Sequence, residues 1–186
     1  MPVFRYIFLT MVVAIFVAIF ALSVRGFVDV YDMDDLVEAR MPGTDAKVQM
    51  GTDPYVLPVY FTDIQKHLRT ASQEFHASMR STNYQVAAFD CEDLTFYYIT
   101  LFKKAASKDK RLMQKTKAGE CTLPVMGMRY VQLKADGSVA QHMVVLILTQ
   151  DRILFVDPVK NGLRYIPWRE FRNQVHLSST LHLYIF

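Results

Sequence analysis

Three side chains able to do chemistry together stand in one order along the chain: Cys91, then His142, then Asp157. A thiol, an imidazole and a carboxylate brought together in space make a nucleophile, its base and the group that orients the base. Cys91 lies in the run Asp90-Cys91-Glu92-Asp93. Three flanking carboxylates disfavour a thiolate by like-charge repulsion, so something must offset them. Two devices can. A helix starting at Cys91 would place free N–H groups and partial positive charge at the sulfur. A bound cation would neutralise Asp90, Glu92 and Asp93 and tie the loop to the helix. Gln85, six residues before the thiol, is a candidate donor to an oxyanion, as are backbone N–H groups at the helix start. On spacing alone, Gln85 reads more readily as a loop glutamine.

The elements that must position these groups follow from hydrophobic patterning. Residues 62–80 read as an amphipathic helix, with Phe61, Ile64, Leu68, Ala71, Phe75 and Met79 on one face and Thr62 with Gln65 in capping-box spacing. His67 and His76, nine apart, read as surface imidazoles rather than a metal pair. A second helix is expected over about 91–107, with Asp90 as its N-cap. Leu94, Phe96, Tyr97, Tyr98, Ile99, Leu101 and Phe102 leave it almost no polar face, which marks a helix buried at a domain centre. Residues 103–117 carry Lys103, Lys104, Lys108, Lys110, Arg111, Lys115 and Lys117 against Asp109 alone. They read as a solvated helix end and a mobile loop, with a docking patch for an acidic partner or anionic lipid as the alternative.

Four β-rich runs follow at 123–133, 139–149, 153–156 and 163–166, separated by Asp136-Gly137, Asp151-Arg152 and Asn161-Gly162. They read as an antiparallel meander, followed by a short helix over 168–175 and a last strand over 181–186. Helices first and strands after give an α+β domain, its antiparallel sheet packed on the central helix that carries Cys91.

Residues 6–24 carry no charge, and only Thr10 and Ser23 are polar. That length approaches the roughly 20 residues that span a bilayer. Ala21-Leu22-Ser23 resembles a cleavage site, but the apolar run exceeds the core of a signal peptide, which favours an uncleaved transmembrane anchor. The expected organisation is an anchor or signal peptide over 1–25, a linker and lead-in over 26–57, and the catalytic domain over 58–186. Without Arg5 and Arg25 the chain has 19 basic against 18 acidic residues, so its charge gives no argument for a nucleic-acid partner. Its two cysteines, Cys91 and Cys121, could pair in an oxidising compartment. A catalytic Cys91 requires that they do not, and Cys121 reads as structural.

Asp90-Cys91-Glu92-Asp93 with a hydrophobic helix behind it, then Gln141-His142-Met143-Val144-Val145 and Phe155-Val156-Asp157, resembles the bacterial transglutaminase-like cysteine proteinases, including the LapG-type periplasmic proteases. The resemblance covers about residues 58–175. It implies a papain/transglutaminase-like fold and a Cys91–His142–Asp157 peptidase acting through a thioester. It also implies calcium held by Asp90 and Glu92, with Asp93 as a further candidate. The expected setting is a single-pass protein of the bacterial inner membrane with its domain in the periplasm. Its partners would be a protein or peptide substrate, such as an envelope or surface protein, and a regulatory membrane protein. The chain departs from the family in its long basic segment and its anchor. Two other readings share these residues: a catalytically silent scaffold or binding module, and an acyl-transferase or amidase with the same triad.

Overall fold

A computed structural model describes residues 31–50, 55–81, 90–116, 121–133, 137–158, 165–167, 171 and 181–185. In chain order the elements are β1 (Tyr31–Asp32), α1 (Met33–Arg40), β2 (Ala46–Met50), β3 (Tyr55–Val56), α2 (Phe61–Ser81), α3 (Cys91–Ala106) and α4 (Lys110–Lys115). Then come β4 (Val125–Leu133), β5 (Val139–Leu148), β6 (Ile153–Val156), β7 (Tyr165–Pro167) and β8 (Leu181–Ile185). The fold is α+β. The expected meander is present as β4-β5-β6-β7, antiparallel throughout. The sheet is nevertheless mixed rather than antiparallel. β8 runs antiparallel to β4 and takes β2 as a parallel neighbour, giving the order β2-β8-β4-β5-β6-β7.

Side chains alternate across β5. Val145 and Ile147 face one core, and Val144, Leu146 and Leu148 face the other. The first core lies under α2 and α3, where Ile64, Leu68, Phe75, Tyr98 and Phe102 are buried. The second lies under α1, through Met33, Leu36, Val37 and Met41. The segment 26–57, expected to be a linker, therefore supplies a helix and an outer strand to the domain where it is described. α1 has its own N-cap, Asp32, whose carboxylate accepts from Asp34 N at 3.1 Å. The anchor expected over 6–24 lies outside the described residues. Among those described, no helix is long and apolar enough to cross a membrane.

The helix expected over 62–80 spans Phe61–Ser81, but Thr62 sits inside it and forms no capping box with Gln65. Its start is held instead by Asp151, in the β5–β6 turn, whose Oδ1 accepts from Phe61 N at 2.8 Å. Arg152 Nε donates to Asp151 Oδ2 at 2.9 Å, and its guanidinium lies 4.5 Å from the centre of the Phe61 ring. Partial burial raises the Asp151 pKa, but the bonds from Phe61, Arg152 and Thr149 outweigh it and leave the carboxyl below its ordinary value. A lowered folded-state pKa contributes stability above the unfolded value of about 4, lost as pH falls through the folded value. Asp151→Ala should therefore cost about 1 kcal/mol at neutral pH. In urea titrations this difference from wild type should shrink as pH drops below about 4, and a difference independent of pH would refute the cap.

Two further expectations change. The basic segment is not a mobile loop where it is described. Asp109 caps α4 by accepting from Arg111 N at 2.9 Å and Leu112 N at 3.2 Å, and Leu112 is buried. His67 is not a surface imidazole. It is buried, and its Nε2 lies 3.1 Å from Asp109 Oδ2, tying α2 to the start of α4. His76 is half-buried, edge-on to Phe75.

Candidate active site

α3 begins where the acidic run predicts. Asp90, in extended conformation, accepts from Glu92 N at 2.9 Å and Asp93 N at 3.0 Å with one carboxylate oxygen. That makes Cys91 the first helical residue, half-buried, at the positive end of the helix dipole. Of the first three amides, the Asp90 side chain takes two. The N–H of Cys91 itself donates to no described residue, as expected of a first-turn amide awaiting an acceptor.

The first turns of α3 sit directly on the sheet because β4 has a glycine there. A Cβ at Gly127 would lie 2.6 Å from Met143 Cε and 3.2 Å from Phe96 Cε1. Thr95, fully buried in α3, donates to Met143 O at 3.3 Å. The first turns of α3 are thus fixed against β4 and β5 through Gly127 and Met143, with Arg129, the strand partner of Met143, alongside.

His142 and Asp157 meet as their strand positions suggest. Val145 pairs with Val156, so Asp157 falls diagonally across from His142 on the same face. His142 Nε2 and Asp157 Oδ2 are 3.1 Å apart, and Asp157 is 1% exposed. A buried carboxylate accepting at Nε2 holds the proton there and leaves Nδ1 as the ring nitrogen for proton exchange. The imidazole is also held by packing. Its ring lies 5.7 Å from that of Tyr130, edge-on, and Tyr130 lies 4.9 Å from Phe171, which stacks on Phe155 at 3.9 Å.

Tyr130 and Arg129 belong to this corner and carry no sequence motif. Burial pushes the Tyr130 phenol well above its ordinary pKa, and the charges of Asp157 and Cys91 push it further. The hydroxyl is therefore a protonated donor at neutral pH, within electrostatic reach of both the thiol and the carboxylate. Arg129 forms an ion pair with Glu92 and lies over the Tyr184 ring at 5.5 Å. Burial alone would lower the Arg129 pKa; the bond and charge of Glu92, with Tyr184 and Cys91, raise it instead. A guanidinium thus stands close enough to Cys91 for their charges to interact.

Two of the three carboxylates flanking Cys91 are accordingly committed. Asp90 is the helix cap, Glu92 is paired with Arg129, and Asp93 is exposed. Among the described residues, no group of three ligating side chains is gathered for a metal ion. For Asp90, Glu92 and Asp93 to hold calcium together, Glu92 would have to leave Arg129.

Cys91 and Cys121 are both free, and Cys121 is buried. Gln85 lies outside the described residues. The structure thus joins His142 to Asp157 and places Cys91 near Tyr130 and Arg129. Among the described residues no hydrogen bond links Cys91 to His142. Cysteine–histidine contacts are often long until substrate binds. No family model matches this chain, and no curated protein matches it.

Proposed function

We propose that this chain is a membrane-anchored, periplasm-facing cysteine peptidase of papain/transglutaminase-like fold, acting through a thioester. The observation that supports it most is the His142–Asp157 pair, its imidazole packed on Tyr130, whose hydroxyl is within electrostatic reach of Cys91 at the start of α3. Cys91 gives its proton to His142 Nδ1, and the thiolate forms a C–S bond with the substrate carbonyl carbon. The oxyanion accepts from the Cys91 N–H and from Tyr130 or Gln85. Collapse breaks the C–N bond, and His142 returns its proton to the leaving amine. Water, deprotonated by His142, then cleaves the thioester and restores the thiol. Throughout, Asp157 holds the tautomer. If an amine rather than water resolves the thioester, the same residues make an acyl-transferase; product mass separates the two.

The missing hydrogen bond between Cys91 and His142 favours a second reading, a silent binding module. Iodoacetamide labelling of the full chain, mapped by peptide mass, decides between them. An active site labels Cys91 ahead of buried Cys121, and His142→Ala slows Cys91 about tenfold or more. Equal rates in wild type and variant would leave the silent module. Parallel arms with calcium and with chelator test the cation that the resemblance implies. A Cys91 rate unchanged between those arms would overturn the cation and leave charge neutralisation to Arg129 and the start of α3.

A further inference from the structure

The end of the domain opposite Cys91 has features that the proposed chemistry does not use. α3 opens at Cys91 and closes at Ala106, roughly 22 Å away at 1.5 Å per residue. At that far end α4 lies against the start of α2. Lys115 Nζ reaches Asp63 Oδ2 at 2.9 Å, and His67 reaches Asp109. Between the two helices is an open cleft of about 250 Å³ lined in part by Thr62, Lys66, His67 and Arg111.

The acids here are committed, Asp63 to Lys115 and Asp109 to His67 and the α4 cap. The exposed cations Lys66, Lys108, Lys110 and Arg111 form no ion pair with any described residue. Two of the largest exposed apolar side chains border the same end: Tyr60 (55% exposed) just before α2, and Tyr55 (53%) in β3. Tyr55 is joined to the segment following α4, where Thr122 N donates to Tyr55 O at 3.1 Å.

The position of the apolar segment adds the remaining constraint. Tyr55 pairs with Asp32 in β1, next to Tyr31 where the described chain begins. Only residues 25–30 separate Tyr31 from the apolar run ending at Val24. Fully extended, six residues reach about 20 Å. An anchored domain would therefore be held with its β1–β3 side near the headgroups. Tyrosine favours the membrane–water interface, and unpaired lysine and arginine favour anionic lipid.

We propose that α4, the first turns of α2, Tyr55 and Tyr60 form a docking face for the phosphate headgroups of an anionic bilayer. Docking there fixes the domain's orientation and turns the Cys91 end of α3 away from the membrane. This rests on the anchored reading of residues 6–24 but not on catalysis.

Hydrogen exchange of the full chain in vesicles tests it. Vesicles of phosphatidylcholine alone are compared with vesicles containing about 30% phosphatidylglycerol. The anionic lipid should slow exchange in α4 and the start of α2 roughly tenfold, with β5 unchanged. Lys66→Glu/Lys110→Glu/Arg111→Glu, or salt at about 0.5 M, should abolish the slowing. Equal exchange in both lipids overturns the docking face, as does slowing that survives the charge reversal. Protection of α4 by added polyglutamate but not by phosphatidylglycerol would also overturn it, assigning the face to an acidic polypeptide. Release of the chain from phosphatidylcholine vesicles would overturn the anchor, and with it this geometry, while leaving the Cys91 labelling result untouched.

Discussion

Asp157→Asn should slow acylation of Cys91 by an activated ester such as p-nitrophenyl acetate about a hundredfold or more. The substitution keeps the size of a side chain that is 1% exposed, so the fold should survive it. What changes is the proton. The carboxylate can only accept, which holds hydrogen on His142 Nε2 and leaves the Nδ1 lone pair to receive the thiol proton. Asparagine can donate, and donating to Nε2 moves the ring hydrogen to Nδ1, where it blocks proton transfer. The ring should stay in place, because Tyr130 holds it edge-on and is backed by Phe171. A tautomer effect thus separates from a positional one. Asp157→Asn should leave the melting temperature within a few degrees of wild type while the nitrophenol burst slows. A burst rate within twofold of wild type would remove Asp157 from the mechanism.

The parts of this site that sequence makes legible are those set by local rules. Asp90 before an apolar run marks a helix start, and the structure places that start there. The spacing of His142 and Asp157 around the Asp151-Arg152 turn is enough to bring them together across a hairpin. Arg129 and Tyr130 were not legible. They lie in a strand whose identity as the neighbour of β5 is clear, but which residues stand beside the α3 start depends on register. The family resemblance offered calcium for Glu92. The partner that the structure supplies is Arg129, a long-range contact that no spacing rule encodes.

The fold was legible on one face of the sheet and missed on the other. Residues 143–148 are apolar without alternation, the signature of a strand covered on both sides. That pattern requires a second cover besides the Cys91 helix. The cover is α1 with its C-cap, where Met33, Leu36, Val37 and Met41 recur at helical spacing. The acidic residues between them disguised the stripe as a linker. His67 shows the same lesson at one position. It lies three residues after Ile64 and four before Ala71, on the buried face, and a polar side chain there needs a partner, which Asp109 provides.

Phe102→Ala should produce the largest loss of stability among single substitutions in α3, about 3–5 kcal/mol. Phe102 is 0% exposed in the core between α2, α3 and the sheet, so truncation opens a cavity that the surrounding strands cannot close. A loss of that size is a large fraction of a domain's usual 5–15 kcal/mol. It should lower the melting temperature by roughly 6–20 °C. The effect on Cys91 should be small by comparison. Phe102 lies eleven residues, about 16 Å, along the helix from the thiol. The helix start has its own fastenings in the Asp90 cap, the Thr95–Met143 bond, the close contact at Gly127 and the Arg129–Glu92 pair. Well below its melting temperature, the variant should therefore label Cys91 within about threefold of the wild-type rate per folded molecule. A stability loss under about 1 kcal/mol would show that α3 is not seated through Phe102. Labelling that fell in step with stability would show that the thiol depends on the whole helix rather than on its first turn.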